Sequence, residues 1–440
     1  MKPRNRFGVA FSGGGYRAAT YHIGTLRALN DLGVLSKIDV LATNSGGSIT
    51  GAYFALCMKE KNFNYDFFEK TLLLCLQKNT ILKALFYPSV LLGLLSIFGL
   101  IGLSYLVASR LSIWLSVGLI LCTIFLVIRY QFVLIPLSKG IENAYRKIFF
   151  DTALLENLPI HPKLVMNATN VETGKLWSFS KDKMDDYTYR FEFKPGIEFI
   201  SGKFPIARSV AASTCVPFAF SPVSIDKSFY LDGNDYRRIK PKLVDGGVYD
   251  NQGISKLIQE NSSYNCDIVL VSDSGAGMSF NSNQRNVFSL LIRMMDIFML
   301  RIKNLQMISG VYENKISKTK QREIGYFSLG WDPRQIVNSF ITHFKEGNLM
   351  PASVAFQRLN GHENDSYEIL ESYIKANLKW SELTFPTEHE LVIAQSISTN
   401  LWPLSKNQTN ALINHSYVMT IIFMQLYCPS ILKKSDTNYI

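Results

Sequence analysis

The sequence predicts an α/β fold in which helices cover a mainly parallel central sheet, and three observations lead to this prediction. Short apolar runs alternate with longer segments of helical periodicity along the 440-residue chain. Successive positions of each run are apolar, which is typical of strands that are buried on both faces. Glycine pairs or triplets follow three of the runs, where a strand leads into the next segment. This alternation indicates a parallel sheet between helical layers.

Four apolar runs are predicted to be strands, at 7–12, 38–43, 163–170 and 266–274. Helical spacing follows the first two strands. One of these helices ends at Gly33, and the other begins directly after Ser45. Two further helices are predicted within 385–440.

Residues 284–309 are predicted to form an amphipathic helix. The apolar face carries five residues at helical spacing, namely Val287, Leu291, Met294, Phe298 and Ile302. Gln284, Arg285 and Lys303 lie on the other side. Two interpretations remain open, because such a helix covers a sheet in a soluble protein but lies on lipid headgroups in a membrane-associated one.

Two uncharged apolar stretches, 84–109 and 111–128, indicate a hairpin of transmembrane helices. About 20 apolar residues suffice to cross a bilayer as a helix. The connection is only about Ser109 and Arg110 long, so both ends would emerge on one side of the membrane. Four glycines are predicted to let the helices approach closely: Gly93, Gly99, Gly102 and Gly118. A pair of buried core helices and a hairpin that dips into one leaflet are the alternatives.

The distribution of charge around the hairpin predicts its orientation. Basic residues flank its open end, namely Lys78, Lys83, Arg129, Lys139, Arg146 and Lys147, whereas Arg110 alone lies at the tip. The positive-inside rule therefore places the body of the protein on the cytoplasmic side of a two-helix membrane protein. The expected organisation is a catalytic domain in two parts, 1–80 and 136–440, interrupted by a hairpin insertion at 81–135.

The formal net charge of +11 has three common explanations: nucleic acid, an anionic membrane or an acidic substrate. Lysines and arginines are scattered along the chain, so nucleic acid is not an expected partner. Together with the hairpin, the surplus predicts attraction to membrane lipids at an anionic bilayer surface. None of the six cysteines belongs to a C-x-x-C pair, so they are expected to be reduced core residues. The sequence does not predict an oligomeric state.

Ser45 lies in a glycine-rich turn between a predicted strand and a predicted helix. A serine at such a turn projects its hydroxyl above the edge of the sheet, and small neighbours relieve the crowding there. The usual G-x-S-x-G pattern reads Thr-Asn-Ser-Gly-Gly at 43–47, so Thr43 replaces the first glycine. An ordinary connecting turn is the alternative.

The glycine triplet Gly13-Gly14-Gly15 directs several backbone N–H groups toward one point. Such a loop cradles a phosphate or holds the oxyanion that forms when a serine attacks an ester. No Gly-Lys-Ser/Thr sequence follows, so a nucleotide-binding P-loop is poorly supported. A simple flexible turn is also compatible with the residues.

A third glycine-rich stretch, 243–253, offers two carboxylates, Asp245 and Asp250. A neutral serine hydroxyl is a weak nucleophile and needs a base within hydrogen-bond reach. Both aspartates qualify by residue type, and each could instead stabilise a turn.

Taken together, these stretches resemble the patatin-like phospholipase family. The resemblance rests on 13–17, on Ser45 and on Asp-Gly-Gly at 245–247, and it extends to the segments 166–174 and 207–223. It covers 1–60 and 160–275 strongly and the C-terminal helices faintly. Thr43 and Ala18 stand where the family often has glycine. The hairpin is not a general family feature, so the chain would be a membrane-anchored member.

The resemblance implies a three-layer α/β/α fold and a lipid acyl hydrolase. In that family Ser45 would be the nucleophile and Asp245 the base, and Gly13, Gly14 and Gly15 would form the oxyanion hole. Arg17 would orient the glycine loop or meet a lipid phosphate, although a structural ion pair is equally open. No cofactor and no metal are implied.

Two alternatives remain in view. A serine–acid–histidine triad would need one of the histidines that follow the acid, namely His343, His362, His389 or His415, and none has a patterned context. A catalytically silent relative that binds lipid or scaffolds membrane partners is the second.

Overall fold

A nine-stranded mixed sheet forms the centre of the part of the chain that the structure describes. The structure is a computed structural model that describes residues 5–60, 62–260, 262–278, 284–316, 322–348, 358–359 and 361–432. Strands β1 to β9 are Phe7–Phe11, Val40–Asn44, Lys163–Asn170, Lys175–Phe179, Met184–Asp185, Val223–Ser224, Lys242–Asp245, Ile268–Asp273 and Glu323–Ser328.

The sheet has the order β5-β4-β3-β2-β1-β8-β9, and β7 pairs with β3 and with β6. Strands β3, β2, β1, β8 and β9 run parallel to one another. Strands β4, β5, β6 and β7 join in antiparallel fashion on the β3 side. The predicted α/β class with a mainly parallel central sheet is confirmed.

Helices α1 to α16 are Gly15–Asp31, Gly46–Met58, Tyr65–Leu76, Thr80–Leu85, Pro88–Arg110, Ile113–Leu134, Leu137–Tyr145, Thr188–Glu192, Ile206–Ser213, Gly247–Asp250, Ser255–Ile258, Val287–Ile316, Ile336–Lys345, Tyr367–Asn377, Glu388–Ser396 and Lys406–Tyr427. Successive residues of β1 show how the layers form: Val9 and Phe11 belong to the larger hydrophobic cluster with α1, α2 and α16, whereas Ala10 belongs to a smaller one with α11. The core therefore occupies both faces of the sheet, as a three-layer fold requires.

The predicted strand at 163–170 has the observed bounds, and the other three predicted strands lie within two residues of theirs. Strands β4, β5, β6, β7 and β9 were not predicted. They have two to six residues each, too few for a periodicity to stand out, and their conformation depends on pairing with distant strands.

Helices α5 and α6 form the predicted hairpin and are long and apolar enough to cross a membrane. Only 17% and 6% of their most apolar windows are buried, which does not fit a pair of core helices. The connection is Leu111–Ser112 rather than Ser109–Arg110, because α5 continues through Arg110. The Ser116 hydroxyl donates to the Ser104 carbonyl across the hairpin at 2.7 Å.

The glycines of the hairpin differ in their surroundings. A side chain at Gly93 would overlap the Leu134 carbonyl, so this glycine does allow close approach of α5 and α6. The same prediction is wrong for Gly99, Gly102 and Gly118, where an added Cβ would meet no described atom within 4 Å. Of the four glycines, Gly93 alone therefore faces the other helix closely, at the open end of the hairpin.

Candidate active site

Ser45 is the single residue between β2, which ends at Asn44, and α2, which begins at Gly46. Its backbone has φ +46° and ψ −123°, a conformation that costs free energy for a residue with a side chain. The two following glycines make this turn possible. A Cβ at Gly46 would overlap the Gly15 carbonyl, and one at Gly47 would lie 2.7 Å from the Phe11 carbonyl oxygen. The serine turn is thus pressed directly against the glycine triplet.

Thr43 fits at the position where the elbow pattern usually has glycine. Its hydroxyl lies 3.0 Å from the Ser48 hydroxyl. Its methyl group lies where Gly51 leaves space, since a Cβ at Gly51 would be only 2.5 Å from Thr43 Cγ2. Gly51, eight residues further along the chain in α2, therefore accommodates the threonine.

The Ser45 hydroxyl donates a 2.7 Å hydrogen bond to Asp245 Oδ2. Sheet register explains how residues 200 positions apart meet. Strand β2 pairs with β3 up to Asn44 opposite Asn167, and the next residue of β3, Ala168, pairs with Asp245 at the end of β7. Two strands that end side by side on β3 therefore place the serine and the carboxylate together.

The environment of Asp245 favours proton transfer near neutral pH. Its second oxygen, Oδ1, accepts the Gly247 N–H at 2.7 Å. Burial raises the pKa of the carboxyl to about 6, against the opposing effect of the bonds from Ser45 and Gly247. A pKa in this range leaves the group ionised at pH 7 yet basic enough to accept a proton.

Asp250, the other carboxylate in this stretch, has a different environment. Its Oδ1 accepts the backbone N–H groups of Gln252 and Gly253, both at 3.1 Å, and its Oδ2 accepts that of Ser255 at 2.8 Å. These bonds hold the turn that leads into α11. Of the two candidate bases, Asp245 alone is bonded to Ser45.

The glycine triplet is arranged differently from the expectation. The Gly13 N–H donates to the Asn251 carbonyl at 2.9 Å, which corrects the expectation that Gly13 is an oxyanion donor. Gly14 and Gly15 have φ of +144° and +60°, conformations that favour glycine. No acceptor in the described part of the chain takes either of their N–H groups. Two amides of the triplet, rather than three, are therefore available.

The segment 207–223 joins the serine to the base, a role that its sequence did not reveal. The Ser213 hydroxyl accepts the Ser45 N–H at 2.9 Å and lies 2.9 Å from the Ser48 hydroxyl. The Cys215 carbonyl accepts the Asp245 N–H at 2.8 Å. Small polar residues of this segment thus fix both halves of the pair.

Arg17 lies at the wall of the site and donates to the Ile397 carbonyl at 2.8 Å. No ion pair of Arg17 with a carboxylate occurs within the described ranges, so the alternative of a structural ion pair is not found. Burial lowers the pKa of its guanidinium, with Asp273 opposing that effect.

The histidines have partners of their own. His22 lies 3.0 Å from both the Ser272 hydroxyl and the Ser12 carbonyl, and His415 lies between the Tyr21 hydroxyl and the Trp331 carbonyl. Burial lowers the pKa of each imidazole to about 4. None of the six histidines, all of which the structure describes, hydrogen-bonds Ser45 or Asp245. A catalytic triad is therefore not formed.

A cavity of about 930 Å³ opens above Ser45 and Asp245. Its walls come from the open end of the hairpin, the loop 216–220, α12 and the segment 398–402. Most of the side chains that line it there are apolar, among them Ile81, Leu137, Phe220, Met299 and Trp402. The cavity is large enough for a small organic ligand or part of a lipid.

The fold is that of a family of lipid hydrolases. Residues 9–258 match the family model of the patatin-like phospholipases, and the chain belongs to that family. The match spans more than half of the sequence and includes Ser45 and Asp245.

Solved structures with a similar fold are distant in sequence. VipD from Legionella pneumophila is 14% identical with a TM-score of 0.34, and the match covers 90% of this chain and 75% of VipD. Human GIVD cytosolic phospholipase A2 is 12% identical with a TM-score of 0.42, over 97% of this chain and 62% of the human chain. No curated protein matches the sequence. The family match alone therefore carries the assignment.

Proposed function

We propose that the protein hydrolyses fatty-acyl ester bonds of membrane lipids through a dyad of Ser45 and Asp245. The 2.7 Å hydrogen bond between their side chains, at a strained turn beneath an apolar cavity, carries this proposal. Lipid hydrolysis is the activity of the family, and the dyad is the finer assignment that the geometry supports.

The reaction would proceed in two stages. Asp245 Oδ2 accepts the proton as Ser45 Oγ attacks the ester carbonyl, and the departing alcohol takes that proton when the ester bond breaks. Water then attacks the acyl-serine and gives one proton to Asp245, which returns it to Ser45 as the fatty acid leaves. The histidine of a triad is not needed, because a carboxylate with a raised pKa performs both transfers.

The developing oxyanion would be stabilised by the free N–H groups of Gly14 and Gly15. The N-terminus of α2, which begins next to Ser45, adds its positive end. Loss of one such donor typically raises the barrier by about 3 kcal/mol. The bond from Arg17 to the Ile397 carbonyl supports a role in orienting the glycine loop.

The same proposal includes the membrane arrangement. Residues 81–135 would span the bilayer, and the two parts of the catalytic domain, 1–80 and 136–440, would lie on the cytoplasmic side. A cysteine introduced by Arg110→Cys is then labelled by an impermeant maleimide from the opposite side only. Labelling from the cytoplasmic side would instead support a hairpin that re-enters the same leaflet.

The activity is tested with the full chain reconstituted in vesicles of phosphatidylcholine and phosphatidylglycerol. Release of fatty acid is expected from the wild type and not from Ser45→Ala, with the two proteins melting at similar temperatures. A wild type that releases no fatty acid from these or neutral lipids, and does not react with a fluorophosphonate, would favour the silent relative that binds lipid or scaffolds partners.

A further inference from the structure

The amphipathic helix α12 presents its apolar face to the outside of the molecule. The row on that face consists of side chains that are 39% to 68% exposed, namely Val287, Leu291, Met294, Phe298 and Leu305. Four of these five form the apolar face that the sequence predicts. In a water-soluble domain this face would be expected to turn toward the core, so its exposure needs a partner.

A neighbouring face of α12, about 100° around the helix from this row, covers the cavity above Ser45. Ile292, Met295, Met299 and Lys303 line it, at the spacing of one helical face. Lys303 Nζ lies 2.7 Å from Asp273 Oδ2, and the Asp273 side chain is only 1% exposed. Rotating the apolar row inward would leave this buried carboxylate without its cation. The outward orientation of the row is therefore built into the fold.

Two other walls of the cavity also expose large apolar side chains beside it. The open end of the hairpin contributes Ile81 to the wall, and Phe86, five residues later, is 67% exposed. The loop 216–220 lines the cavity with four of its residues, whereas Phe218 is 61% exposed. Exposed apolar side chains thus occur on α12, in the loop 216–220 and in the segment that leads directly into the hairpin proposed to enter the bilayer.

We propose that the outer face of α12 docks on the surface of the bilayer that holds the hairpin, so that the cavity opens directly against lipid. This inference rests on the proposed membrane function and assigns its docking surface. Arg301 is exposed on α12 close to this row and would meet anionic headgroups. A substrate lipid would then reach Ser45 from the leaflet without crossing water.

Depth-dependent quenching tests the docking without using the reaction. A genetically encoded fluorescent amino acid replaces Phe298 in the Ser45→Ala protein, reconstituted in vesicles of phosphatidylcholine and phosphatidylglycerol that carry nitroxide-labelled lipid. Emission at 298 is expected to fall by about half or more, because an interfacial helix lies roughly 5–10 Å into the headgroup region. The control replaces Ile369 of α14, which is 55% exposed and outside the cavity wall, and keeps its emission.

Equal emission at 298 and 369 would overturn the proposal. So would a photo-crosslink from 298 to a second copy of the chain or to another protein, in place of quenching by lipid. Because the protein used is Ser45→Ala, these results do not depend on whether Ser45 is the nucleophile.

A pair of variants tests the consequence for lipid access. The double variant Leu291→Asp/Phe298→Asp is expected to lower hydrolysis of vesicle lipid about tenfold, since two charges oppose insertion of the face. Its reaction with a small fluorophosphonate should stay near that of the wild type, as should that of Ile369→Asp. Unchanged hydrolysis of vesicle lipid in the double variant would also contradict the proposal.

Discussion

The floor and the roof of the cavity above Ser45 are built in opposite ways. At the floor, Ser45 and Asp245 are buried, and hydrogen bonds hold together the turn at Ser45, the segment 207–223 and the stretch 243–253. At the roof, α12 exposes apolar side chains, and its polar contacts with the rest of the domain include those of Lys303 with Asp273 and of Gln306 with Ser255. The difference indicates two separate roles. The floor holds the proposed reacting groups in place, and the roof is suited to contact with the lipid that would supply the substrate.

The largest effect on turnover is expected from a substitution at the floor of the cavity. Asp245→Asn should lower turnover by about 10³-fold or more, because the amide keeps the shape of the carboxylate but does not accept the serine proton. Asp250→Asn is the matched control, since the Asp250 carboxylate accepts hydrogen bonds within its own turn and is not bonded to Ser45. That variant should melt at a lower temperature but keep its turnover per folded molecule.

Fatty-acid release in vesicles measures the first effect, and thermal unfolding followed by circular dichroism measures the second. If Asp250→Asn lost turnover as completely as Asp245→Asn while both remained folded, the specific role proposed for Asp245 at the floor of the cavity would be contradicted.

The next effect concerns pH. In the proposed dyad the ionised form of Asp245 is the base, and its pKa is raised to about 6, so turnover should rise with pH through about 6 and fall roughly tenfold per unit below it. A profile of hydrolysis against pH, measured on a soluble short-chain ester, checks this prediction. A profile that is flat between pH 4 and pH 8 would exclude Asp245 as the base.

Stability should change with pH in the opposite direction. The folded pKa of Asp245 is higher than its ordinary value of 3.8, so the folded state binds the proton more tightly than the unfolded state does. This contribution is complete below pH 3.8 and is lost as pH rises through about 6. The proposed catalytic carboxylate therefore lowers the stability of the folded state at the pH at which it would act as a base.

A smaller effect is expected at the roof. Lys303→Met leaves the buried Asp273 with hydrogen bonds from Tyr326, Ser328 and the Gly275 N–H but without a cation. Loss of one partner of such a pair typically costs about 3 kcal/mol of unfolding free energy. Denaturant unfolding should show this loss, whereas Ser45 should still react with a fluorophosphonate. Restoration of stability by Lys303→Met combined with Asp273→Asn would show that the uncompensated charge was the cause.

The smallest effect is expected on stability, from substitutions that change only the packing beneath Ser45 at the floor of the cavity. Gly51→Ala would place a methyl against Thr43 Cγ2 and should cost about 1–3 kcal/mol of stability. Thr43→Ser removes that methyl and keeps the hydroxyl near Ser48, so Gly51→Ala should cost much less in the Thr43→Ser background. Denaturant unfolding of the four proteins completes the cycle. Equal costs in both backgrounds would show that Gly51 does not accommodate Thr43.

Much of the floor of the cavity was predictable because it depends on the local pattern of residues in the sequence. The turn around Ser45 leads sharply from a strand into a helix and needs glycine next to the serine. Such glycines are visible in the sequence. The choice of Asp245 over Asp250 was left open by residue type alone. It depends on the register of β7 against β3, which brings one carboxylate and not the other beside β2.

Other features required the structure because they depend on distant neighbours. The Gly13 N–H is taken by the Asn251 carbonyl, and no property of the triplet itself signals this bond. The amphipathic pattern of α12 identified an apolar face but not the environment of that face. Lys303 decides it by pairing with Asp273, a buried residue at the end of β8.

The most direct measurement is mass spectrometry of peptides after reaction with a fluorophosphonate. The account predicts one adduct, on the peptide that contains Ser45, in the wild type and in Lys303→Met, and no adduct in Asp245→Asn. An adduct on a different serine, or labelling of Ser45 that is equally fast in Asp245→Asn, would contradict the dyad.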